Sequence, residues 1–184
     1  MQPEELTNEA PSDNTELDAA SDFRAACDAL NRAADSISLL SSKCGGTSIL
    51  QSMLESKNTK EVRTALRALH DFDPRQILEL ILPIYRLTEV STYYFSAVRL
   101  LAMVPAKKLK RALVPLVFDR LLGPDNDYDY YSWRLNALML EYFGFDDAAQ
   151  RVAILALASD DPEVREAGAE MIAEMATPGS PPYG

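Results

Sequence analysis

Apolar positions along this chain recur at steps of three and four. The first run is Phe23, Cys27, Leu30, Ala34, Ile37 and Leu40, a spacing that puts six residues on one face of a helix over about 22–42. Gly45-Gly46 then favours a turn. Helical periods continue over about 47–56, 59–71, 74–87, 91–104, 106–122, 129–143, 146–158 and 161–176. No stretch alternates with period two for long enough to predict a strand, so the pattern specifies an all-α chain. Several starts carry capping chemistry. Asp73-Pro74-Arg75-Gln76 reads as an N-cap, a first-turn proline and a glutamine that reaches back, and Asn58 with Glu61 repeats the cap-to-acid spacing. Asp160, Asp161 and Glu163 place negative charge at the positive end of the last helix.

Pairing these helices exposes an internal period. The second helix of each pair carries an apolar residue, usually an Arg after it, a small residue three positions on and an apolar residue four beyond that. The four instances are Val62-Arg63, Ala65, Leu69; Tyr94-Phe95, Ala97, Leu101; Trp133-Arg134, Asn136, Leu140; and Val164-Arg165, Ala167, Met171, with starts 32, 39 and 31 residues apart. Two first helices share a proline inside an aliphatic run, Leu82-Pro83-Ile84 and Val114-Pro115-Leu116. A mid-helix proline costs about 3 kcal/mol, so its recurrence predicts a kink used in packing. On these residues, over about 47–176, the chain resembles HEAT-repeat proteins and the related HEAT-like repeats of bacteria. Asp161-Pro162-Glu163-Val164-Arg165-Glu166-Ala167 is closest to the family's second-helix pattern, whereas Phe95 and Asn136 depart from it. The resemblance implies a short right-handed α-solenoid of about four helical hairpins, with residues 21–46 forming an N-terminal capping helix and loop. Stacking is expected on physical grounds too, since one hairpin cannot bury both of its apolar faces.

The ends read differently. Residues 1–20 hold six acids and no base and are expected to be a disordered acidic tail, while 177–184 form a flexible Pro-rich tail. A secretory leader needs a positive start and an apolar run, and the longest apolar run, Ala112–Phe118, is far too short for a membrane span. With Cys27 and Cys44 read as reduced thiols, the expectation is a cytoplasmic protein off the membrane. A net charge of −10, from 18 basic against 28 acidic residues, opposes duplex nucleic-acid binding. One His and two Cys leave too few ligands for a zinc site.

Candidate chemistry concentrates in two places. Pro83 to Ala97 spans 14 residues but Pro115 to Asn136 spans 21, so seven extra residues enter the loop around 123–131. Asp125, Asp127 and Asp129 alternate there as in a calcium loop. Tyr130 replaces the required glycine, however, and Asn136 the closing glutamate, so an acidic loop that caps the next helix is the better reading. Tyr128, Tyr130 and Tyr131 are candidate interface anchors, while Tyr94 and Trp133 fall on core positions. Lys60, Arg63, Arg67 and His70 form a cationic ridge on one helix face and are a second candidate contact; Lys107, Lys108, Lys110 and Arg111 read as a solvated face. In the family resembled, the Arg shared by positions 63, 134 and 165 pairs with an acid of the neighbouring repeat. No nucleophile elbow or phosphate-cradling glycine loop is present, so neither catalysis nor a cofactor is expected.

The expected function is therefore that of a non-enzymatic protein-binding module, an adaptor, chaperone-like factor or immunity protein, gripping a partner by a concave face and the 123–131 loop. The resemblance also implies two alternatives: a phycobilin lyase-like, bilin-handling protein, and a HEAT-like DNA glycosylase, which would need a basic cleft.

Overall fold

The computed structural model describes residues 13–43, 46–123 and 129–176, and among these it contains helices and turns but no strand. The helices are α1 (Asp13–Lys43), α2 (Gly46–Leu54), α3 (Thr59–Ala68, continued by a 3-10 turn over Leu69–Asp71), α4 (Pro74–Glu79) and α5 (Ile81–Leu87). They are followed by α6 (Tyr94–Ala102), α7 (Ala106–Leu121), α8 (Tyr130–Tyr142), α9 (Asp146–Leu157) and α10 (Pro162–Met175).

The expected caps set the starts. Asn58 accepts the Lys60 N–H at 3.0 Å, Asp73 and Gln76 close a capping box, and Asp161 accepts the Glu163 N–H at 2.8 Å. Gly144 ends α8 at φ 70°, letting the Phe145 N–H return to the Leu140 carbonyl and the Gly144 N–H to Glu141. The two prolines behave differently. Pro83 cannot donate to the carbonyl four residues back, and the helix breaks at Leu80 into α4 and α5; Pro115 lies inside an unbroken α7.

Packing follows chain order. α2 packs on α3 and α5, α3 on α6, α5 on α6 and α7, α7 on α8, and α8, α9 and α10 on one another. All four instances of the repeated motif turn inward: Val62, Trp133 and Val164 are buried, as are Ala65, Ala97, Asn136 and Ala167, and Leu69, Leu101, Leu140 and Met171, while Tyr94 packs half-buried against them. Between neighbours, Arg86 lies 4.0 Å from Glu55, and Arg120 makes a paired contact with Glu89 at 2.9 and 3.0 Å. Such solvent-accessible pairs are worth about 1 kcal/mol or less each, so they align the helices more than they hold them.

Two core features have structural reasons. Asn136, where the repeat elsewhere has Ala, accepts the Tyr85 hydroxyl at 2.9 Å and donates to the Ser132 carbonyl, making a buried polar link between α5 and α8. Burial pushes the Tyr85 phenol far up, so it remains a donor. Gly168 lets α10 approach α9 closely, since a Cβ there would lie 2.7 Å from the Leu157 Cα.

α1 departs from the capping helix expected over 22–42. It starts at Asp13, inside the segment read as tail, and packs on α2 and α3. Thirty-one residues span roughly 46 Å, about three times the length of α2 or α3, so α1 outruns its neighbours. Phe23 and Leu30 are consequently 71% and 56% exposed, and Cys27 is half-buried. Cys44 and residues 177–184 lie outside the described residues.

Gly168→Ala is expected to destabilise by about 2–3 kcal/mol in denaturant titration, against the gain of roughly 1 kcal/mol that this change brings in an open helix. Asn136→Ala should cost about 1–3 kcal/mol by orphaning the Tyr85 hydroxyl, and less than additively once Tyr85→Phe is present.

Candidate functional site

Helix α3 and the turn entering α6 together form a cationic cleft. Arg63, Arg67 and His70, one helical turn apart along α3, meet Thr92, Tyr93 and Ser96 around a space of about 220 Å³, with the buried Leu66 in its lining. The structure thus brings together three of the residues expected to bind a partner. Val62, Ala65, Ala68 and Leu69 bury the other side of α3, so the remaining face must point outward with its charges. Both guanidiniums are exposed, and no carboxylate among the described residues pairs with either.

The start of α8 is built otherwise. Asp129 caps the helix, accepting the Ser132 N–H at 3.0 Å and its hydroxyl at 2.8 Å, and these bonds hold its carboxyl below the usual range. Tyr130, expected as a contact, is instead half-buried, donating to Glu170 and accepting from Arg134. Arg134 joins Glu170 and reaches Glu174 at 2.7 Å, tying α8 to α10 as the resemblance implied for that Arg. Arg165 has a different task and donates to the carbonyls of Ser159 and Asp160 in its own turn. Lys110 pairs with Asp147 at 2.6 Å and lies over the Phe145 ring. Near this cluster Glu141 is half-buried, and burial with the Asp146 and Glu174 carboxylates pushes its carboxyl up. Asp125, Asp127 and Tyr128 lie outside the described residues.

Tyr131 points outward and is 69% exposed. With Leu135 and Tyr142 it forms an exposed apolar stripe at helical spacing, on a helix whose other side buries Trp133, Ala137 and Leu140. On α6, Phe95 is 72% exposed at the position held by Arg in the other three copies of the motif. Sequence reading did not single out Thr92, Ser96, Leu135, Glu170 or Glu174. Thr92 is a turn hydroxyl and Ser96 a helix hydroxyl, neither with a motif, and the acids are five and nine residues beyond Arg165, invisible until α8 and α10 are packed together. The Leu135 and Tyr142 signal was legible, as two residues in step with Tyr131.

No family model, no curated protein and no solved structure matches the chain, so the resemblance to HEAT repeats rests on the residues themselves. Among the described residues no helix is long and apolar enough to cross a membrane, and no group of His, Cys, Asp and Glu could hold a metal ion.

Asp129→Ala is expected to lower stability at neutral pH by about 0.5–2 kcal/mol. Because the folded-state carboxyl titrates low, its contribution is full above the ordinary aspartate range and is lost as pH falls through the lowered value. Denaturant midpoints measured against pH should therefore show a shallower acid-side fall in Asp129→Asn than in the unaltered chain.

Proposed function

We propose that the chain is a non-enzymatic protein-binding module, built as a short HEAT-like right-handed solenoid of stacked helical pairs. The observation that carries the binding reading is the exposed stripe of Tyr131, Leu135 and Tyr142 on α8. A helix that buries one apolar side and leaves a second in solvent gains nothing from the second in isolation, and large aromatic residues are favoured where proteins meet. Phe95, standing where the repeat otherwise places a charge, belongs to the same kind of surface.

The solenoid reading is supported by the order of packing, with α2 on α5 and α3 on α6, and by Arg86 and Arg120, each 31 residues after the acid it meets. In such a stack α3, α6, α8 and α10 line one side. That side runs from Lys60, Arg63 and Arg67 on α3, through Phe95 and Tyr131, to the exposed Glu163, Glu166, Glu170 and Glu174 on α10. A surface graded in charge orients a partner of opposite gradient, and its apolar middle supplies contact area. An adaptor, chaperone-like factor or immunity protein would use such a face.

The test is affinity capture from native cells with the unaltered chain and with Tyr131→Glu/Leu135→Glu. A stoichiometric protein partner retained by the first and lost at least tenfold by the second is the expected result. Equal retention by both, with unchanged circular dichroism, removes the α8 stripe from the interface.

A further inference from the structure

Four arginines are tied to acceptors within the fold. Arg86, Arg120 and Arg134 meet carboxylates of neighbouring helices, and Arg165 binds carbonyls of its own turn. Arg63 and Arg67 meet no carboxylate among the described residues, and the lining of their cleft contains no acid. Arg75, Arg99 and Arg111 also meet no carboxylate among the described residues, and what distinguishes Arg63 and Arg67 is that they line one cleft together. The same cleft is lined by His70, Thr92, Tyr93 and Ser96, all with side chains able to donate hydrogen bonds.

We infer that this cleft receives the phosphoryl group of a phosphorylated side chain on the partner protein, an inference that rests on the protein-binding reading above. Donor supply selects the ligand. A carboxylate offers two oxygens, whereas a phosphomonoester offers three with close to two negative charges, matching two planar guanidinium forks and the three hydroxyl-bearing residues of the lining. Size selects its carrier. At about 220 Å³ the space falls below the roughly 300–1,000 Å³ of sites that enclose a small molecule, but it can take one modified side chain from a segment lying across the surface. Exposed Phe95, next to Ser96, offers apolar contact to a residue flanking the phosphate. A nucleic-acid strand fits less well, because repeated phosphates need an extended basic stripe and the cleft gathers only two arginines and one histidine.

The experiment titrates the full chain with three fluorescent probes: a degenerate peptide pool centred on phosphoserine, the same pool with unmodified serine, and a mixed-sequence single-stranded oligonucleotide. The phosphoserine pool is expected to bind about tenfold or more tightly than the serine pool, as one set of charge-assisted hydrogen bonds provides. Arg63→Gln and Arg67→Gln should each remove about that factor, Lys107→Gln should leave it unchanged, and millimolar inorganic phosphate should compete. Both arginines are exposed, so the variants are expected to keep their helical circular dichroism and melting midpoint. Equal binding of the two peptide pools, full binding by an Arg63→Gln/Arg67→Gln chain, or tighter binding of the oligonucleotide would overturn the inference. Phosphatase treatment of the extract before capture separates the two levels. A partner retained without its phosphate overturns the phosphoryl assignment and leaves the protein-binding reading intact, whereas a partner indifferent to the α8 stripe variant counts against that reading itself.

Discussion

Short helices cannot stand alone in water. From α2 to α10 they run from 6 to 16 residues, near or below the length at which an isolated helix is marginal. Each must therefore bury an apolar side against a neighbour, and the repeated motif supplies that side at the same helical position four times. Shared burial of Val62, Leu101, Trp133 and Met171 with their neighbours is the condition on which the rest depends. The caps, the ion pairs and the close approach at Gly168 refine a helix packing that the buried positions have already imposed. Only once α3 and α6 are held side by side do a helix face and a distant turn become one cleft.

Specificity within that packing comes from a few polar devices. A core made only of Leu, Ala and Val would tolerate small slips of one helix past another. The buried Tyr85–Asn136 bond between α5 and α8 resists such slips, because a shifted register would leave two polar groups unpaired in a dry interior. Arg134, held between Tyr130 and the two glutamates of α10, fixes α8 against α10 at the opposite edge. Side chains committed to this scaffolding are unavailable for a partner, which separates Tyr130 and Asp129 from Tyr131 although the three are adjacent in sequence.

Much of the helix pattern was legible in the sequence, and particular residues show why. Steps of three and four, with Asp73, Asn58 and Asp161 as caps, place nearly every helix within a few residues of its observed ends. In sequence the two prolines are equivalent, but only Pro83 interrupts its helix, since local context decides how a missing N–H is accommodated. α1 carried a convincing stripe, yet a stripe reports the capacity to bury a face and cannot report a partner long enough to cover it. The cationic half of the candidate site was visible as a ridge at helical spacing. Its hydroxyl half was not, because Thr92, Tyr93 and Ser96 join it only where α3 packs against α6. Asn136 looked like a flaw in the repeat, and its reason lies fifty-one residues earlier, in Tyr85.

The stacked arrangement is tested most directly by distances between spin labels in a chain whose Cys27 and Cys44 have been replaced by Ser. Labels at Thr64→Cys on α3, paired in turn with Arg99→Cys on α6, Leu135→Cys on α8 and Glu166→Cys on α10, report how far each helix lies from the first. Stacking of successive pairs predicts separations that increase stepwise from α6 to α8 to α10. An α3 to α10 separation as short as that from α3 to α6 would show a closed bundle and contradict the account.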